Sequence, residues 1–154
     1  MEKQIEEFRF QLKDGLIGGD THLYTNEVIQ KLPFDIANNR IAPTVSTIWE
    51  IFFHMYFWQM LIIALLEDDD STFKENIKLK SFPKDECNQN EFEDYRNRFL
   101  DGLAYVEKII DNIDLFQPTP NWKNVQKYKI LQILLQHNSY HLGQIIFIQK
   151  SLVK

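Results

Sequence analysis

Between Glu50 and Glu67 the chain carries sixteen consecutive residues, Ile51 to Leu66, without a formal charge, and Phe, Ile, Leu, Trp and Met dominate them. A run like this has to leave water, because each large apolar side chain left exposed forfeits about 1.5–3 kcal/mol of burial energy. Two destinations are open to it, a bilayer or a protein core. A bilayer needs about 20 residues of helix, and this run is shorter. It also contains His54 and Gln59, and Glu50 and the acidic stretch Glu67 to Asp70 close it at both ends. The expectation is a central buried helix, with no membrane partner. A helix apolar on every side requires neighbours on every side, so the remaining chain must surround it.

The remaining chain can do so. With 154 residues, 44% of them hydrophobic and 14% aromatic against five Gly and five Pro, there is material for one substantial core and one domain over 1–154. Apolar residues recur at helical spacing in four stretches, and no segment alternates as a half-exposed strand would. The first helix is expected over Lys3–Leu16, stopped by Gly18, Gly19 and Asp20. Thr21 to Pro43 then forms a long irregular connection with room for a short helical turn. The second helix begins at Thr47-Ile48-Trp49-Glu50, a Thr-x-x-Glu capping box, and runs to Leu66. A polar linker from Asp68 through Pro83 and Cys87 leads to a third helix, which starts near Asn88 or Asn90 and ends around Ile113. After the break Gln117-Pro118-Thr119-Pro120-Asn121, a fourth helix is expected from Trp122 to Ser151, capped by Asn121. The predicted fold is an all-α four-helix bundle with a long connection between its first two helices.

A formal charge of −5 and the lack of a basic stripe argue against nucleic acid as a partner. The single cysteine, Cys87, cannot form an internal disulfide, and Met1 is followed by the charged stretch Glu2 to Glu7, so a cytoplasmic location is expected.

The chemistry lies in the histidines. Ile130, Leu134, His137, His141, Ile145 and Ile148 form one stripe of the fourth helix, which places two imidazoles one turn apart in the face that seeks the core. His54 sits mid-way along the apolar second helix. A buried imidazole with an unpaired nitrogen costs about 1–3 kcal/mol, and a shared divalent ion would satisfy three rings together. The same positions also suit ordinary core histidines that donate to backbone carbonyls. His22, in a polar loop, reads as a surface histidine, and Cys87, in a charged linker, does not read as a nucleophile. Trp49, Phe53, Phe57 and Trp58 read as core aromatics more readily than as pocket walls.

Two motifs add to this. His137-Asn138-Ser139-Tyr140-His141-Leu142-Gly143-Gln144-Ile145 resembles the terminal-helix motif of the DinB-like (DinB/YfiT-type) family, and Thr47 to His54 resembles that family's second-helix motif. Phe82 to Ile110 resembles its third helix. The resemblance implies a four-helix bundle that holds a divalent metal, zinc or nickel being the leading candidates, through His54, His137 and His141. It further implies frequent homodimers. Characterised members include metal-dependent transferases and isomerases that use small thiols such as bacillithiol. The function expected here is accordingly activation of a bacillithiol-type thiol for attack on a small electrophile. Alternatives are a non-enzymatic metal-binding or stress-linked dimeric bundle, and a hydrolase using metal-bound hydroxide with Glu50 as base. Glu50 and Gln144 are the candidates to support the ligands from behind, whereas helical geometry points Asn138 and Tyr140 away from the ligand stripe.

Overall fold

The structure, a computed structural model, describes residues 2–20 and 22–153; Thr21, the first residue of the expected long connection, lies outside them. Helix α1 (Glu2–Ile17) ends where Gly18 and Gly19 take φ of 86° and 110°, a left-handed turn that L side chains resist. The connection that follows is more ordered than its sequence suggests. It holds α2 (Thr25–Gln30) and a 3-10 turn over Phe34–Ile36, pinned by the buried Ile29, Leu32 and Ile36.

Helix α3 (Ile48–Leu66) opens on the expected capping box: the Glu50 amide donates to Thr47 Oγ1 at 3.0 Å and the Thr47 amide to Glu50 Oε2 at 2.8 Å. At 19 residues α3 is long and apolar enough to cross a membrane by length and composition. Its length therefore does not by itself separate a bilayer helix from a core helix. Most of it is buried inside the bundle, with Ile48, Phe52, Met55, Leu61 and Leu66 fully enclosed.

The linker after α3 contains a helix the sequence reading lacked, α4 (Asp70–Asn76), capped by Asp69, which accepts the Thr72 amide at 3.1 Å. Helix α5 (Gln89–Asn112) starts at the first of the two expected caps, with the Glu91 amide on Asn88 Oδ1 at 3.0 Å.

Past α5 the expectation needs correcting. Pro118–Thr119 (β1) and Val125–Gln126 (β2) form a two-residue antiparallel ribbon, and α6 (Lys127–Leu152) begins five residues after Trp122. Asn121 caps nothing there. The ribbon's turn places Lys123 and Asn124 at φ of 52° and 60°, which a helix cannot accommodate, and Thr119 Oγ1 donates to the Val125 carbonyl at 2.7 Å. Trp122 instead packs edge-on to Trp58 and Phe73. Buried Lys127 then closes the end of α3, its Nζ donating to the Leu66 carbonyl and to Asp68, both at 2.7 Å.

The four long helices close a ring. α1 packs on α5 and α6, and α3 packs on the same two from the opposite side, most extensively on α6. The core contains Phe52, Phe92 and Phe99, with ring centroids 5.5–5.7 Å apart across α3 and α5. That arrangement sets the middle of α3 against the middle of α6, where the histidines lie.

Candidate metal centre

His54 projects from α3 and His137 and His141 from α6, all half-buried, and the candidate donor atoms of the three rings lie within 4.8 Å of one another. His54 Nε2 and His137 Nε2 are 3.2 Å apart. The His141 ring stands 4.9 Å from that of His54 and 4.4 Å from that of His137, centroid to centroid. The rings thus meet at one point from two segments separated by more than eighty residues.

Which nitrogen of each ring faces the centre follows from the hydrogen bonds behind them. His54 Nδ1 lies 3.1 Å from the Ser81 carbonyl, an acceptor only, so Nδ1 carries the proton and Nε2 presents a lone pair to its neighbours. His141 Nδ1 is 2.7 Å from Gln144 Oε1, with the same consequence for its Nε2. His137 is the ring left incomplete, since its buried Nδ1 has no partner among the described residues. With its proton on Nε2 it can donate to His54 but leaves a buried lone pair at Nδ1; with the proton on Nδ1, two lone pairs oppose each other across 3.2 Å. A cation between the two Nε2 atoms removes the second conflict. Nitrogens bound to one tetrahedral ion at about 2.0–2.1 Å stand about 3.3 Å apart, close to the separation found. The donor set and its spacing therefore fit a divalent ion.

The electrostatics favour the neutral rings a metal requires. Burial pushes the His137 pKa down to about 3, helped by the neighbouring His141 and His54. The adjacent Asn138 amide opposes this slightly; it lies near His137 without forming a hydrogen bond, and both its polar atoms are buried and unpartnered. Burial also lowers His54, against the Ser81 carbonyl, which raises it, and lowers His141, against Gln144, which raises it.

Aromatic groups enclose the cluster. Phe82 stacks flat on His54, with centroids 4.3 Å apart and planes 12° from parallel, and Trp58 lies edge-on to His54 at 6.3 Å and 5.8 Å from His137. Trp58 thus walls the site, whereas Trp49 is core, 2% exposed, and Phe53 and Phe57 pack against the core. A pocket of about 490 Å³ opens beside His141, between the 44–46 segment and α6, with Phe82 and Gln144 in its lining.

Of the two supporting candidates, Gln144 is hydrogen-bonded to a ring and Glu50 is not. Both Glu50 oxygens are engaged, one by the Thr47 amide and the other by Arg40, and no hydrogen bond joins Glu50 to the three histidines among the described residues. Tyr140 does not point away as helical geometry suggested: its ring lies 4.9 Å from that of His141, and its hydroxyl accepts a proton from Gln144 Nε2 at 3.1 Å. Ser81 and Phe82 come from irregular chain before α5: the resemblance to the family's third helix starts at Phe82, but the helix itself begins only at Gln89, so only the folded chain reveals their contacts with His54. His22 is half-buried at the surface, and its nitrogens are taken by Ser139 Oγ at 2.9 Å and the Leu23 carbonyl at 2.8 Å. It is outside the cluster.

The chain finds no match among curated proteins or among solved structures. The model of the DinB family matches residues 20–152, a span that includes all three clustered histidines and every helix but α1. On this match, the chain belongs to the DinB family.

Proposed function

We propose that this protein is a divalent-metal-dependent transferase that joins a low-molecular-weight thiol of the bacillithiol type to a small electrophile. The convergence of the His54, His137 and His141 rings, two of them fixed with Nε2 free, carries the proposal. Three neutral imidazoles suit zinc or nickel and leave at least one coordination position for a reactant. A divalent ion held there supplies Lewis-acid chemistry, favouring the deprotonated form of a thiol or water near neutral pH.

The chain's own residues prepare that position. Ser81 and Gln144 hold two rings in the required tautomer, Trp58 and Phe82 limit the water reaching them, and the adjoining pocket gives a reactant somewhere to lie. The thiol has to come from another molecule. Cys87 is buried against Asn38, its thiol pushed up to about 11 by burial first and by Glu91 and Glu86 besides, so it stays protonated. A hydrolase would need a free base, and Glu50, the acid available on α3, is tied to Thr47 and Arg40. Such a transferase belongs in the cytoplasm, where thiols are kept reduced, and works as a homodimer, the form the family resemblance implies.

The test is consumption of bacillithiol or a related thiol with a chlorodinitrobenzene electrophile by zinc- or nickel-loaded protein. Turnover that disappears in His141→Ala supports the proposal. Absence of reaction with every small thiol, in protein that holds its metal, would replace it with a non-enzymatic metal-binding role.

A further inference from the structure

The pocket beside His141 has a definite chemical character. None of the side chains lining it carries a full charge, and its walls are the apolar groups of Val45, Ile51, Phe82, Phe147 and Ile148. Three aromatic residues at its edge keep much of their surface in water, Tyr140 and Phe147 at 64% exposure each and Phe82, beyond its stack on His54, at 45%. Core packing does not account for them, and exposed aromatics gathered around one concavity mark a binding site.

The Thr44 and Ser46 hydroxyls also lie in this wall, but the donor tied to the histidine cluster is Tyr140. His141 Nδ1–H is donated to Gln144 Oε1 at 2.7 Å, which turns the amide so that Nε2 donates to the Tyr140 oxygen at 3.1 Å. The phenol oxygen is thereby an acceptor, and among the described residues nothing takes its own proton. The tautomer of His141 links this chain of bonds to the proposed metal role, on which the inference rests to that extent. In the metal-free protein a charged ligand would lose hydration here without meeting a counter-charge, whereas an uncharged acceptor meets the phenol's donor.

We infer that the pocket binds an uncharged, largely aromatic small molecule carrying a hydrogen-bond acceptor, which the Tyr140 hydroxyl recognises. The electrophile of the proposed reaction is then of this class, and Tyr140 is its specificity-determining contact.

Three probes of similar size separate the elements of the inference: acetophenone, ethylbenzene and benzoate, titrated into metal-free protein and followed by backbone amide shifts in NMR. Acetophenone should bind wild type about three- to tenfold more tightly than ethylbenzene, the range of one neutral hydrogen bond, and benzoate most weakly. In Tyr140→Phe the acetophenone advantage should vanish while ethylbenzene is unaffected, and Phe147→Ala should weaken both. Retention of the advantage in Tyr140→Phe, benzoate binding as well as acetophenone, or shifts that map elsewhere on the protein would each overturn the inference. A parallel zinc titration keeps the two readings apart. Wild-type protein that takes no zinc but shows the probe pattern loses the metal role and keeps the pocket, and the converse loses the pocket alone.

Discussion

Replacing Gln144 by Leu removes the acceptor 2.7 Å from His141 Nδ1 while keeping a good helix former at a half-buried position. Without Oε1, the His141 ring is free to rotate and to exchange tautomers, and both motions take Nε2 away from the shared centre. Removing the partner behind a metal-bound histidine weakens affinity about 10–100-fold, or about 1.4–2.7 kcal/mol. Gln144 is only half-buried, so water can replace part of what is lost, and the expected value is about tenfold. Gln144→Glu is the informative companion. A carboxylate at the same place accepts the Nδ1 proton in a charge-assisted bond and raises the basicity of the ring, so affinity should hold or tighten by a few-fold. The assay is zinc competition against a chromophoric chelator at pH 7.5, with thermal unfolding of each metal-free variant to verify the fold. If Leu and Glu variants both bind zinc within about twofold of wild type, Gln144 does not orient a ligand, and the assignment of Nε2 as the donor of His141 loses its support.

Acid should destabilise the metal-free protein through the same rings. Folding holds each pKa below its unfolded value of about 6.5, so as pH falls the unfolded chain takes up protons first; stability is intact above pH 6.5 and declines below it, down to about 3 for His137. Urea midpoints at pH 7 and pH 5 should show His137 contributing about 1 kcal/mol of that decline after allowance for its partial exposure, and His137→Gln should have a shallower pH dependence than wild type; equal slopes would count against a buried neutral ring. Two glycines should respond oppositely to Ala. A Cβ at Gly143 meets nothing within 4 Å, so the gain in helix propensity, about 1 kcal/mol, should appear as a higher Tm. A Cβ at Gly102 would fall 2.2 Å from Oε1 of Gln59, which is fully buried and tied to the Phe99 carbonyl at 3.2 Å, so Gly102→Ala should lower stability by about 1–3 kcal/mol; a rise in Tm would mean that Gln59 can move aside.

Long-period features were legible in the sequence. The buried character of α3, its capping box and the histidine stripe of α6 each follow from residues a turn or two apart, and the structure has them where the spacing puts them. Features that depend on contacts distant in sequence were not. The ribbon of β1 and β2 is too short to leave an alternating pattern, and the apolar Trp122 resembles a helix start until Trp58 and Phe73 are seen to receive it. Seven-residue α4 fell below the length at which periodicity speaks. In the site, Gln144 could be found because it lies three residues from His141 on one helix, whereas Ser81, twenty-seven residues after His54, reaches it only because the chain turns back after α4. Tyr140 was set aside on helical angle alone, because the angle describes where Cβ points and a tyrosine ring reaches well beyond it.

The site is tested most directly by elemental analysis of wild type and His137→Ala, both purified without a nickel column. About one zinc or nickel per wild-type chain, falling to a small fraction in the variant, is the result expected of three imidazoles sharing one ion. Wild-type protein with only trace metal after incubation with excess zinc or nickel, or a variant that retains as much metal as wild type, would mean that His54, His137 and His141 meet for some other reason.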